Sequence, residues 1–284
     1  MFDDNILEIN HVSKQYPNFN LQDVNIALPR GAIMGFIGEN GAGKSTTIKL
    51  IMDLIRKDSG EIRVLGCDNT KMDKNIREHI GVVLDECHFP EEMNLKNVAS
   101  VMKSFYKTWN ARRFEEFVAE YKIPKDRKVK AFSRGMRMKL SMAVAMAHDT
   151  QLLILDEATS GLDPIVREEM LDLLMDFIQN ENCSVFISSH ILSDLEKICD
   201  YITFIHEGHI LLSESKDELL ERHGIYKCSE KDLRDIRRDA LIGVHRYAYG
   251  VEALVLKDQV PANIHLEPAN LEQIMLYYTK EAVR

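Results

Sequence analysis

The sequence has no surplus of positive charge: its 284 residues hold 36 Lys and Arg against 45 Asp and Glu, a formal net charge of −9. That balance disfavours a nucleic-acid surface, which needs clustered Lys and Arg to displace counterions from phosphates. Long apolar runs are missing too. No stretch approaches the ~18 apolar residues that a membrane span requires, so no span is expected. The first ten residues, MFDDNILEIN, lack the basic start and apolar core of a signal peptide, and the expected location is the cytoplasm. Cysteine is scarce. Cys67, Cys87, Cys183, Cys199 and Cys228 are scattered, form no CxxC pair and have no histidine at metal-ligand spacing. They read as reduced thiols, several of them core fillers, and the adjacent Cys87 and His88 are too few for a metal site.

What is present is apolar content, 45% of the chain, enough to fill one large domain and a smaller one. The organising stretch is Gly38-Glu39-Asn40-Gly41-Ala42-Gly43-Lys44-Ser45-Thr46, a phosphate-loop pattern of two glycines followed by Lys and a hydroxyl residue. Ala32 to Ile37 before it reads as a buried strand. After it, Ile48, Ile51, Met52 and Ile55 recur at helical spacing, giving a helix through Ile55. Gly38, Gly41 and Gly43 let the backbone curl so that its N–H groups face an anion at the positive end of the helix. Lys44 then reaches the β- and γ-phosphates, Ser45 offers a hydroxyl to Mg²⁺, and Thr46 supports the helix start.

Ile6 to Tyr16 and Leu21 to Leu28 flank Pro17-Asn18-Phe19-Asn20 and read as a hairpin. Tyr16 is open to two readings, half-buried packing at a strand end or stacking on a purine. Further strands are expected at Glu61 to Leu65 and Ile80 to Leu84. Then comes a helical stretch, Leu95 to Trp109, Arg112 to Tyr121 and Arg134 to Ala147, with Met93, Phe105, Tyr106 and Trp109 expected in its core.

Gln151 to Glu157 is a second apolar strand, ending in two carboxylates where an α/β sheet opens to ligands. Asp156 suits the Mg²⁺ shell, while Glu157 suits a base, or an orienting group, for the water that attacks the γ-phosphate. Ser160-Gly161-Leu162-Asp163-Pro164 then turns into a helix, and the strand Ser184 to Ser188 delivers His190 to the same edge as a γ-phosphate sensor. Strands at Tyr201 to Ile205 and His209 to Leu212 follow, with a helix from Lys216 to His223 that Gly224 ends. Beyond it, strands around His245 to Tyr249 and Ala253 to Leu256, and a helix from about Asn270 to Ala282, make a small α+β appendage.

With these motifs in this order, residues 5 to 215 resemble the ATP-binding subunit of an ABC transporter, most of all those serving bacterial exporters of antibiotics or peptides. The resemblance implies an α/β phosphate-loop NTPase fold of ABC type: a mixed sheet, an antiparallel β-subdomain and a helical subdomain at about 90–147. Residues 1–222 would form this domain and residues 223–284 the appendage. Phe132-Ser133-Arg134-Gly135-Met136 stands where the family carries its LSGGQ signature; Ser133 and Gly135 match, whereas Arg134 and Met136 depart. The family pattern further implies a head-to-tail dimer, homo- or heteromeric, with two ATP molecules between phosphate loop and signature. In it Asp163 crosses the interface and Tyr16 stacks on adenine. The implied partner is a transmembrane permease, with the membrane reached only through it, on the inner face and near Asp85 to Met93. A soluble ATPase acting on ribosomes or DNA is the alternative, but two cassettes or a long coiled coil are absent. A GTPase or kinase would lack an NKxD-like base reader.

Asp85 stands where the family usually carries a Gln that touches Mg²⁺. A carboxylate about 5 Å from a phosphate charge costs roughly 3 kcal/mol at an effective dielectric of 20, and its attraction to Mg²⁺ is about twice that. Asp85→Gln is therefore expected to keep ATP binding but change its Mg²⁺ dependence; identical metal titrations of both proteins would contradict this.

Overall fold

Alternation of apolar and polar residues builds the first sheet of the computed structural model, which describes residues 5–248 and 250–282. In β2 (Phe19–Pro29) Leu21, Val24, Ile26 and Leu28 are buried and the residues between them mostly exposed. It pairs antiparallel with β1 (Asn5–Tyr16), from Asn5 opposite Pro29 to Tyr16 opposite Phe19, so the hairpin closes on Pro17-Asn18. β4 (Ser59–Val64) and β5 (Cys67–Asp68) complete the order β2-β1-β4-β5.

The central sheet has the order β10-β9-β3-β8-β7-β6. Its middle strands, β3 (Ile33–Ile37), β7 (Leu152–Asp156) and β8 (Ser184–Ser189), are buried at every residue, as expected of strands covered on both faces. β6 (Ile80–Val83) and β9 (Tyr201–His206) run parallel to them, while β10 (His209–Ser215) is antiparallel to β9, so the sheet is mixed as expected. Five parallel strands share one C-terminal edge, and Gly38, Asp85, Asp156 and His190 all follow or end strands there.

Helix α1 (Lys44–Ile51) stops four residues short of the expected Ile55. The buried Asn69 side chain takes its terminal carbonyls, donating to Leu50 O at 2.7 Å, and Asp53 turns left-handed at φ 56°. α2 (Lys74–Arg77) is a single turn capped by Asp73. The helical layer holds α3 (Leu95–Phe105), α4 (Ala111–Glu120) and α5 (Arg134–Met146). α3 ends before the expected Trp109, because Tyr106 turns extended and stacks on His148 at 3.9 Å. Trp109 packs on Phe114, but Phe105, expected in the core, is 73% exposed. α6 (Pro164–Phe177) and α7 (Leu192–Ile198) cover the sheet beside β7 and β8. Cys183 and Cys199 are core residues, as expected.

Helix α8 (Lys216–Arg222) passes without a loop into β11 (His223–Cys228). Gly224 is therefore a strand residue opposite Val255 and Pro268, and the expected glycine cap is corrected. β12 (Leu241–Tyr247), β13 (Gly250–Leu256) and β14 (Glu267–Pro268) give the order β12-β13-β11-β14. Tyr249, an expected strand end, and the first four residues of MFDDNILEIN lie outside the described residues. In α9 (Leu271–Ala282) Leu271, Ile274 and Tyr277 enter the same core as Leu195 and Ile198 of α7. The Leu271 backbone N–H donates to Glu196 Oε2 at 3.4 Å, so appendage and main domain share packing.

Two buried histidines make stability pH-dependent. His148 Nδ1 donates to Glu78 O, and His223 Nδ1 donates to Leu219 O, each at 2.7 Å. Burial holds both imidazoles below their ordinary pKa. As pH falls past about 6.5, the unfolded chain takes up protons that the folded one refuses, so their contribution is full above that pH and lost below it. Urea midpoints are expected to fall between about pH 7 and 5.5, and to fall less in a His148→Phe, His223→Phe variant. An equal slope in the two proteins would assign the pH dependence elsewhere.

Candidate functional site

The phosphate loop leaves β3 at Ile37 and enters α1 at Lys44. Gly41 and Gly43 take left-handed φ values of 87° and 118°, as a curled anion-binding loop requires. Gly38 does not: its hydrogen side chain is needed because a Cβ there would lie 2.5 Å from Ile205 O. The expected common role of the three glycines is thus corrected to two for curvature and one for close approach of β9. Thr47, rather than Thr46, supports the helix start, donating to Gly43 O at 3.0 Å. Ser45 is exposed on the first turn. Asn40 and Gly41 line a cavity of about 600 Å³ between the loop and the Pro17 to Gln22 segment.

The Lys44 ammonium is buried. It donates to Gly38 O at 2.7 Å and Glu39 O at 3.2 Å, and lies 3.2 Å from Glu157 Oε1. The contact with Glu157 is ionic without hydrogen-bond alignment, and Glu157 Oε1 has no other partner among the described residues. Such an oxygen is costly to leave unpaired in a buried site. Glu157 itself adopts φ 52°, a conformation uncommon outside glycine, which turns it off the end of β7. On its other side, His190 Nδ1 sits 2.5 Å from Glu157 Oε2. Lys44, Glu157 and His190 therefore form one connected chain.

Asp156 stands in register with Ser188 of the neighbouring strand. Ser188 Oγ donates to Asp156 Oδ1 at 2.6 Å and accepts from the Glu157 backbone N–H at 3.0 Å, fixing the Asp156 carboxylate and the Glu157 backbone. Sequence reasoning missed Ser188; the signal was a hydroxyl two residues before His190. Asp156 and Ser45 offer oxygen only, and among the described residues no three His, Cys, Asp or Glu side chains gather around a common point. That donor set fits Mg²⁺, which keeps water and phosphate oxygens in most of its positions. Asp85, exposed in the loop after β6, is tied to neither Asp156 nor Ser45 by any bond among the described residues.

A second patch gathers the remaining residues. Ser133 caps α5, accepting from the Met136 N–H at 3.3 Å, and Gly135 faces Val166. The Arg134 guanidinium lies over Gly161, 3.2 to 3.4 Å from where a Cβ would stand, and Gly161 is left-handed at φ 65°. Asp163 caps α6, accepting from the N–H groups of Ile165 and Val166 at 3.2 and 3.1 Å. No side-chain hydrogen bond among the described residues joins this patch to Lys44, Asp156 or Glu157; the one link is the Ser160 backbone N–H, which donates to Glu157 O at 3.1 Å. Tyr16 ends β1 and is 38% exposed, with the Lys14 ammonium 5.6 Å from its ring centre. Its outer ring surface is free to stack.

A family profile described as ABC transporter matches residues 21–160. The bacitracin transport ATP-binding protein of Bacillus licheniformis is 31% identical over 256 residues, spanning 88% of this chain and 84% of that protein. The lantibiotic transport ATP-binding protein of Streptococcus pyogenes is 36% identical over 217 residues, 75% of this chain and 92% of its own. A solved structure, the ATP-binding subunit of an ABC transporter, superposes with a TM-score of 0.68 at 27% identity, covering 76% of this chain and 92% of that one. Sequence likeness over most of both relatives and a shared fold lead to the same assignment: the chain belongs to the ABC transporter family, as an ATP-binding and ATP-hydrolysing subunit.

Proposed function

We propose that this subunit is the motor of an exporter: two copies close head to tail on two ATP molecules, and the closure drives a separate transmembrane permease. The observation that carries the reading is the divided site. Lys44, Asp156, Glu157 and His190 meet on one sheet edge, whereas Ser133 and Gly135 sit against α6, which Asp163 caps, on a patch that no side-chain hydrogen bond among the described residues joins to them. A second subunit, identical or homologous, brings that patch to the triphosphate.

Gly41, Gly43 and the backbone from Asn40 to Thr46 cradle the phosphates, and Tyr16 stacks on adenine. Lys44 exchanges its carbonyl partners and Glu157 for the β- and γ-phosphates, which releases Glu157 Oε1 toward water. His190 holds Glu157 Oε2 and keeps that carboxylate aimed. Ser45 and Asp156 are the residues that would hold Mg²⁺, which when bound neutralises charge on the β- and γ-oxygens.

For the permease we assign an apolar cleft of about 450 Å³ whose walls include Val82, Leu84, Phe89, Met93 and Met102. Leu54 and Phe105, 60% and 73% exposed, follow its wall residues Met52 and Met102 in the chain, so a short amphipathic helix of the permease suits it. The relatives named for bacitracin and lantibiotic transport support an antibiotic or peptide cargo. No helix among the described residues is long and apolar enough to cross a membrane. In this reading the subunit is cytoplasmic and is held at the inner face by its partner. Residues 1–222 form the ATP-binding unit of this proposal and residues 223–284 its accessory domain.

Glu157→Gln is expected to bind ATP, lose hydrolysis by about 10² to 10⁴, the usual worth of a general base, and accumulate as an ATP-dependent dimer in sedimentation. Undiminished turnover would remove Glu157 from the role. Gly43→Ala places a Cβ 3.0 to 3.1 Å from Phe19, Ile205 and Leu21 at a left-handed position, and is expected to weaken ATP binding by at least about tenfold. Equal affinity by calorimetry would relocate the nucleotide.

A further inference from the structure

The loop after β6 and the start of α5 border a cavity of about 260 Å³ whose walls include Asp85, Glu86, Arg134 and Arg137. The two arginines are not equivalent. Arg137 Nη2 donates to Lys130 O at 3.3 Å and lies 3.8 Å from Glu91. Arg134 has no carboxylate or carbonyl partner among the described residues and rests over Gly161. Asp85, across the same space, is likewise unpaired among them.

Asp85 shares its sheet edge with Asp156 and the phosphate loop, so a triphosphate bound there repels its carboxylate. A guanidinium on the same cavity offsets that repulsion. We infer that Asp85 and Arg134 are a matched charge pair that closes when the phosphate site fills, tying the metal-side loop to the signature segment of the same subunit. Arg134 is here a positioning residue. It touches no reacting atom and acts through Asp85, with its other face braced on Gly161. The inference rests on the ATPase reading above.

The purified full-length chain, with Asp85→Gln, Arg134→Gly and the double variant, tests the pair through the Mg²⁺ concentration for half-maximal ATP binding, read by calorimetry. Arg134→Gly leaves the Asp85 carboxylate unneutralised, which draws Mg²⁺ more strongly than it repels a phosphate, so this concentration is expected to fall about threefold or more. In the Asp85→Gln background the same substitution is expected to change it by less than about twofold, and Arg134→Lys to restore the parent's value. Melting temperatures identify variants that merely fold poorly, and for these Arg134→Met replaces Arg134→Gly. An equal Arg134 effect with and without the Asp85 carboxylate overturns the pairing while leaving the ATPase standing. A parent that neither binds nor hydrolyses ATP overturns both.

Discussion

An ammonium group taken out of water needs oxygen on every side, and the demand at Lys44 orders everything around it. The carbonyls of Gly38 and Glu39 supply two contacts, and the loop must curl to aim them. Glu157 supplies the third, at the cost of a left-handed backbone held by Ser188 from the next strand. The cation is thus stored beside a carboxylate, and in the function proposed above an incoming phosphate competes for it with groups already in place. Preorganisation of this kind places the cost of ordering in folding rather than in the reaction.

The geometry also separates what each part of the chain can do alone. The sheet edge is one connected network, Lys44 to Glu157 to His190. The patch made by α5 and the Ser160 to Asp163 turn is internally braced by caps and by Arg134 on Gly161. As the half-site proposed above, a rigid patch of this sort suits a rigid partner, because little further ordering is required when surfaces meet.

The legible part of the sequence was the part governed by neighbours in the chain. Gly43, Lys44, Asp156, Glu157 and His190 could be placed because strand, loop and helix patterns are local and the parallel sheet brings their ends together. What escaped depended on residues far away in sequence. Asn69 stops α1, Ile205 makes Gly38 obligatory, and Ser188 reaches Asp156 only because β8 lies beside β7. Gly224 signalled a helix end, but pairing with Val255 drew it into a sheet. Phe105 fits a helical core by hydrophobicity alone, whereas its exposure follows from the chain turning away at Tyr106.

The seam between α7 and α9 has a consequence for how this polypeptide is handled. Because Leu271, Ile274 and Tyr277 complete the packing of Leu195 and Ile198, a fragment trimmed after Arg222 would keep every nucleotide-facing residue and still bare an oily stripe. Such a truncation trades solubility for simplicity, and the stripe lies on the helix that starts two residues past His190. The tail is a keel as much as an attachment.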